Sequence, residues 1–138
     1  MVRRTNLPAR MRVLLDTHVL LWAFETPRRI PGPVQDLLRD GGNDLVWSVA
    51  GTVEIAIQVS TGRMRLPRTV EALVEGQRQL MDLEILPIEH RHAVRMATLP
   101  LVHRDPFDRI LVAQAQSEGL ALISSDTLLR RYGVEVIW

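Results

Sequence analysis

The chain has 138 residues, no cysteine and a formal net charge of +1, with 46% hydrophobic and 24% charged residues. A length of this order suits one domain with a single core, and the lack of cysteine excludes a disulfide framework and a cysteine-ligated zinc site. The balanced charge gives no global sign of a nucleic-acid binder, and no apolar run approaches the roughly 20 residues of a membrane-spanning helix.

Short apolar runs alternate with helical patterns along the whole chain. The runs predict strands at 12–16, 44–48, 83–88, 120–124 and 134–137. The intervening segments predict helices at 17–25, 33–40, 51–62, 68–81, 89–99, 106–118 and 126–133. This alternation favours a parallel sheet with helices on both faces. We expect one domain over 11–138, preceded by a flexible N-terminal extension over 1–10.

Two side-chain orientations are part of this prediction. In the helix predicted over 51–62, Val53 and Ile57 are expected to face the core, and Ile55 is a further candidate for this face. His90 and His92 stand two residues apart on a predicted helix, so they diverge and form no zinc pattern. We expect both histidines at the surface.

Five acidic residues fall near the predicted carboxyl ends of strands, where ligands bind in open parallel sheets. Asp16 closes the first strand, Asp126 follows the fourth, and Glu54 lies one turn into the helix after the second. Asp105 and Asp108 begin the helix that leads to the fourth strand. Each aspartate taken alone also has a structural explanation, either as a helix cap or as a charge that stabilises the helix dipole. Asp105, which precedes a proline, fits the role of a helix cap best.

Several carboxylates gathered in one cleft raise each other's pKa, and a divalent cation relieves their repulsion. Mg²⁺ and Mn²⁺ prefer oxygen ligands, so they suit a site made of carboxylates. A bound cation of this kind polarises a phosphate oxygen and makes hydroxide from water, which is the chemistry of phosphodiester hydrolysis.

Four stretches in chain order carry a resemblance to a known family: "LLDTHVLLW", "SVAGTVEIAI", "HRDPFDRILVAQA" and "LISSD". They resemble the four motifs of PIN-domain ribonucleases, most closely the toxin half of VapBC-type toxin–antitoxin pairs. The resemblance runs from about Met11 to the C-terminus. It implies a three-layer α/β/α sandwich with a central, mainly parallel sheet of four to five strands. It also implies an endoribonuclease that depends on Mg²⁺ or Mn²⁺.

The resemblance assigns the catalytic and metal-binding acids one at a time. Asp16 matches the aspartate that closes the first strand, and Glu54 matches the glutamate of the second motif. Asp108 and Asp126 match the aspartates of the third and fourth motifs. The fourth motif departs mildly from the family's pattern, because Ser124 stands where a threonine is usual. Asp16 and Asp108 are then the principal metal ligands, which Glu54 and Asp126 complete directly or through water.

Supporting roles follow for five further residues. Thr17 and Ser124 are expected to hold carboxylates in place by hydrogen bonds. Asp105 fits the third motif but is expected first as a helix cap. Arg109 is expected either to contact substrate phosphate or to balance carboxylate charge, and His103 to touch RNA, to support Asp105 or to serve the loop.

The resemblance also implies partners: an RNA substrate, a cognate VapB-type antitoxin and a second copy of the chain. It implies a cytoplasmic protein with no membrane association. The main alternative is a catalytically silent PIN-like module that binds RNA or protein, which the presence of all four acids disfavours. A response-regulator receiver is disfavoured because its fold requires a lysine, and this chain has none.

Overall fold

The computed structural model describes residues 10–138 and contains one parallel sheet. Its five strands are Arg12–Leu15 (β1), Asp44–Ser48 (β2), Glu84–Leu86 (β3), Ala121–Ile123 (β4) and Val136–Ile137 (β5). They lie in the order β3-β2-β1-β4-β5, and every neighbouring pair is parallel. The predicted sheet is therefore confirmed, with all five predicted strands present and several of them shorter than expected.

Helices connect the strands as the sequence predicts. They are Thr17–Glu25 (α1), Gly32–Arg39 (α2), Val49–Ser60 (α3), Val70–Met81 (α4), His90–Arg95 (α5) and Pro106–Glu118 (α6). Shorter 3-10 segments occupy Pro27–Arg29, Met96–Thr98 and Thr127–Tyr132, so the helix predicted over 126–133 is a 3-10 turn rather than an α-helix. No helix within residues 10–138 has the length and apolar character needed to cross a membrane.

Two apolar clusters lie on opposite faces of the sheet, because successive side chains of a strand point in opposite directions. On one face, Val13 and Leu15 of β1 pack with residues of α1, α2 and α4. On the other face, Leu14 packs with residues of α6, including Leu111 and Val112. The predicted three-layer α/β/α sandwich is confirmed.

The predicted N-terminal extension, residues 1–10, lies outside the described residues except for Arg10. The guanidinium of Arg10 is 2.7 Å from Asp44 Oδ1, so this residue is tied to the start of β2. Exposed ion pairs of this kind contribute little to stability.

The inward face of α3 differs from the prediction. Val53 and Ile57 are 39% and 46% exposed, whereas Ile55 is fully buried. The buried face consists of Ala50, Gly51 and Ile55, because Gly51 lies directly against the ring of Trp47. This close approach sets the rotation of the helix, and it turns Glu54 to a half-buried position beside the sheet edge.

The prediction that His92 lies at the surface is wrong, although His90 is exposed. His92 is fully buried between α5 and α6, where its Nδ1 accepts a hydrogen bond from the Glu89 backbone N–H at 3.0 Å. The proton of the neutral ring therefore sits on Nε2, which is 3.2 Å from Glu118 Oε2. Through Nδ1 the ring caps the start of α5, and through Nε2 it joins α5 to α6.

Candidate metal centre

Asp16 and Ser124 meet where β1 and β4 end side by side. Asp16 follows β1 directly, is 7% exposed and makes no helix-capping bond through its side chain. Its Oδ2 accepts a hydrogen bond from Ser124 Oγ at 2.7 Å. The Ser124 hydroxyl in turn accepts from the backbone N–H of Asp126 at 3.1 Å. One buried hydroxyl therefore fixes the Asp16 carboxylate and the turn that carries Asp126.

Glu54 reaches the same edge from α3. Thr17 Oγ1, at the start of α1, donates a hydrogen bond to Glu54 Oε1 at 2.6 Å. Thr17 is 3% exposed, so this bond is shielded from water. The predicted supporting contacts of Thr17 and Ser124 are thus both present, each to a different predicted site acid.

The proximity of the acids is reflected in the pKa of Asp108, a residue in the first turn of α6. Burial raises the pKa of Asp108 to about 7, with further contributions from the charges of Asp16, Asp105, Glu54 and Asp126. Burial likewise raises the pKa of Glu54; the Thr17 hydrogen bond opposes this shift, and the charges of Asp105 and Asp16 add to it. All five acids predicted from the sequence therefore act on one another in one region.

Two of these acids are also helix caps. Asp105 Oδ1 accepts from the Phe107 backbone N–H at 2.9 Å, and Pro106 occupies the first position of α6. Asp126 Oδ1 accepts from the Leu128 backbone N–H at 3.2 Å. Capping and a place in the acidic cluster are compatible, because each cap uses one carboxylate oxygen and leaves the other free.

Arg109 holds the loop that precedes α6. Its guanidinium donates to the carbonyl oxygens of Pro100 at 2.9 Å and Met96 at 3.2 Å, with longer contacts to Leu99 and His103 at 3.4 Å. These contacts use both terminal nitrogens of the guanidinium within the protein. The structure therefore assigns Arg109 to positioning this loop, a role that the sequence alone did not suggest.

The sequence left the role of His103 open, and the structure places this residue among the acids of the cluster. Its Nε2 is 2.8 Å from Asp126 Oδ2, yet this buried atom makes no hydrogen bond of acceptable geometry within the described chain. Ligand atoms of His103, Asp108 and Asp126 all lie within 4.8 Å of one another. The signal in the sequence was the position of His103 two residues before Asp105.

These residues fit a divalent cation. The cluster offers carboxylate oxygens and a buried imidazole nitrogen that makes no hydrogen bond within the described chain, and burial together with neighbouring carboxylates raises the pKa of Asp108. When bound, such a cation would polarise a phosphate oxygen and lower the pKa of a water ligand. Asp108 and Asp126 have ligand atoms in one group of 4.8 Å and could hold such a cation, and Asp16 and Glu54 act on Asp108 through their charges.

A second concave surface contains none of these acids. A groove of about 520 Å³ is lined by residues of α1, α2 and α4, among them Ala23, Leu38 and Leu80. It is predominantly apolar and lacks the cluster of carboxylates, so its chemistry is that of contact with an apolar partner rather than that of hydrolysis.

Replacement of Ser124 by alanine is expected to weaken divalent-cation binding about 10-fold, the scale at which residues that orient metal ligands act. The variant loses the hydrogen bond to Asp16 and the acceptor for the Asp126 N–H. Titration calorimetry with Mn²⁺ measures the change. Ser125→Ala, at the exposed neighbouring position, is the control and should bind as the wild type does. Equal affinities for both variants would contradict the role of Ser124.

The metal-free protein is expected to lose stability as the pH rises from about 4 to about 7. The pKa of Asp108 is about 7 in the folded chain and 3.8 ordinarily, so the folded state binds more protons across this window and stability falls with pH. Melting temperatures in EDTA should fall by a few degrees, a shift that fits a domain of this size. Asp108→Asn should flatten this dependence, whereas Asp36→Asn, on the exposed face of α2, should not. Equal pH slopes in all three proteins would contradict the assignment.

Comparison with solved structures finds this fold in proteins of low sequence identity. VapBC2 from Rickettsia felis, crystallised with a DNA fragment from the promoter, matches with a TM-score of 0.68 and 15% identity over 92% of this chain and 98% of that chain. DNA-bound VapBC from Salmonella typhimurium gives 0.67 and 16% over 92% and 97%. VapBC-1 from nontypeable Haemophilus influenzae gives 0.63 and 15% over 92% and 97%. Comparison with curated proteins finds no match.

The model of the PIN domain matches residues 13–135. This match begins within β1 and ends just before β5, so it contains every acid of the cluster and the connections that position them. Because it spans most of the sequence, the chain belongs to the PIN domain family.

Proposed function

We propose that this protein is a Mg²⁺- or Mn²⁺-dependent endoribonuclease that acts as the toxin of a VapBC-type toxin–antitoxin pair. The observation that carries the proposal is the convergence of acidic side chains near Asp108, where burial raises the pKa of Asp108 to about 7 and the charges of Asp16, Asp105, Glu54 and Asp126 add to the shift. A cluster this electronegative favours a divalent cation, and membership of the PIN family favours nuclease chemistry.

The four acids have different roles in this proposal. Asp16 and Asp108 are the principal metal ligands, and Glu54 and Asp126 complete the centre directly or through water. One of these carboxylates orients the attacking water and accepts its proton as the new bond to phosphorus forms. The bond from phosphorus to the leaving ribose oxygen then breaks, and that oxygen takes up a proton from solvent water. Ser124 and Thr17 hold the carboxylates of Asp16 and Glu54 in fixed directions, so little reorganisation is needed when substrate binds.

The partners in this proposal are a VapB-type antitoxin and a second copy of the chain, in the cytoplasm. Support for the antitoxin comes from the structural relatives, which include VapBC complexes from three bacteria. An apolar groove between α1, α2 and α4, with Leu80 79% exposed on its rim, is a surface of the kind that protein partners cover.

Cleavage of structured RNA by the purified protein tests the enzymatic part. We expect cleavage in Mg²⁺ or Mn²⁺ and none in EDTA, with activity restored when excess cation is added back. DNA of the same sequence serves as the comparison substrate. Absence of cleavage with both cations, on a panel of transfer, ribosomal and messenger RNA, would favour the silent binding module instead.

Expression in a bacterial host tests the toxin assignment separately. We expect growth arrest on expression, relieved when the small gene adjacent to this one is expressed with it. A nuclease that leaves growth unchanged would retain the enzymatic proposal and contradict the assignment as a toxin.

A further inference from the structure

The imidazole of His103 faces the acidic cluster through a buried nitrogen that makes no hydrogen bond within the described chain. This atom, Nε2, is 2.8 Å from Asp126 Oδ2, a contact that is an ion pair when the ring is protonated. Two ligand atoms that each lie about 2.1 Å from one cation, at right angles to each other, are about 3 Å apart. The observed separation is close to that value and is also an ordinary ion-pair distance, so the two atoms are compatible with a shared ion.

The two carboxylate oxygens of Asp126 have different neighbours. Its Oδ1 caps the 3-10 segment Thr127–Tyr132 by accepting the Leu128 N–H, whereas Oδ2 is the oxygen that faces His103. Asp108 supplies the third ligand atom within the same 4.8 Å group. The three residues come from the loop before α6, from α6 itself and from the turn after β4, so separate parts of the fold converge here.

The loop that carries His103 is fixed at its backbone. The N–H of His103 donates to Tyr132 Oη at 2.8 Å, and its carbonyl oxygen receives the 3.4 Å contact from Arg109. Tyr132 is buried, and Arg109 follows Asp108 directly on α6. The side chain of His103 is therefore presented to the acids by a backbone held at both its donor and its acceptor.

We propose that His103 Nε2 is a nitrogen ligand to the divalent cation held by Asp108 and Asp126, and that it makes this centre prefer Mn²⁺ to Mg²⁺. The inference rests on the proposed function, since it concerns the same centre. Mg²⁺ keeps oxygen ligands and water, whereas first-row transition ions accept imidazole readily. An imidazole among carboxylates therefore adds affinity for Mn²⁺ and adds little for Mg²⁺.

Electron spin-echo spectroscopy of the full chain loaded with Mn²⁺ tests this directly, because it detects nitrogen bonded to the ion without any measurement of activity. We expect a nitrogen modulation in the wild type that changes when histidine is isotopically labelled. We expect His103→Gln to lose this modulation and to bind Mn²⁺ about 10-fold more weakly, a loss at the lower end of those seen when metal sites are altered. Mg²⁺ affinity, measured by competition, should change less than about two-fold on the same scale.

His18→Gln is the matched control. His18 is exposed on α1 and close enough for its charge to lower the pKa of Glu54, so it is the other imidazole beside the acids. This variant should keep the nitrogen modulation and the wild-type Mn²⁺ affinity. If His103→Gln melts too low to be studied, the double variant His18→Gln/Glu118→Gln decides the matter through its label-sensitive modulation. It lacks the exposed imidazole of α1 and one carboxylate of the separate Glu89–His92–Glu118 group.

The outcomes separate the two proposals. Mn²⁺ bound without nitrogen modulation, or a modulation lost in His18→Gln, would overturn the role of His103 and leave the nuclease proposal standing. A wild-type protein that binds neither Mn²⁺ nor Mg²⁺ would contradict the proposed metal centre as a whole.

Discussion

We expect Asp16→Asn and Asp108→Asn each to lower the rate of RNA cleavage by about 10³-fold or more, the scale of losing one member of a catalytic unit. Each change removes a negative charge from the centre and keeps the shape of the side chain. Asparagine can still accept the Ser124 hydrogen bond at position 16, so the local geometry is preserved. Initial rates at saturating Mg²⁺ and at saturating Mn²⁺ measure the loss.

A measurement of melting temperature distinguishes the loss of a metal ligand from the unfolding of the protein. Asp108→Asn removes a carboxylate whose pKa is raised by burial and by its neighbours, so the metal-free variant should melt above the wild type at pH 8. A more stable protein without activity excludes unfolding as the cause of the loss. Asp36→Asn, on the exposed face of α2, should cleave at the wild-type rate. If both site variants also do so, the assigned centre is wrong.

Gly51→Ala is expected to destabilise the folded protein, although alanine favours helices. A Cβ at this position would lie 2.6 Å from both Cζ2 and Cη2 of Trp47. The indole is 1% exposed and its Nε1 donates to Thr52 Oγ1 at 2.9 Å, so the ring has no space to move into. Such overpacking costs about 1–3 kcal/mol, against a gain of about 1 kcal/mol from helix propensity.

Gly76→Ala is the matched control for this prediction. Gly76 also lies in the middle of a helix, but the nearest atom to its added Cβ is Arg68 Nη1 at 3.9 Å, an ordinary contact. There the propensity gain acts alone, so this variant should be stabilised by roughly 0.5–1 kcal/mol. Urea unfolding of both variants measures the difference. A Gly51→Ala protein as stable as Gly76→Ala would show that α3 can shift without cost.

The clash at position 51 should also reach the metal centre. Glu54 lies almost one turn further along α3, and its bond to Thr17 fixes it at 2.6 Å. If the helix moves away from Trp47, this contact is lengthened. We therefore expect a loss of activity in Gly51→Ala at temperatures where the protein remains folded.

The fold and the main acids could be predicted because they depend on local patterns. Strand β4 is a run of apolar residues with no alternation, which is typical of a strand covered on both faces. Asp16 directly follows such a run, and the carboxyl ends of parallel strands share one edge of the sheet. Neither inference needs a knowledge of which side chains touch.

The remaining features depend on contacts between distant parts of the chain. The outward direction of Val53 follows from the packing of Gly51 on Trp47, and no periodicity in α3 indicates it. His92 can be buried because Glu118, 26 residues away, accepts a hydrogen bond from its ring. Arg109 resembles a substrate contact in the sequence, and only the path of the loop before α6 reveals its carbonyl partners.

The hydrogen bond from Ser124 to Asp16 joins residues 108 positions apart, and β4 lies beside β1 in the sheet. During translation the first acid leaves the ribosome long before the hydroxyl that fixes it and before Asp126. A growing polypeptide therefore lacks the complete cluster until Ser124 and Asp126 have been synthesised. Translation products that stop before Ser124 lack both the hydrogen bond to Asp16 and the carboxylate of Asp126.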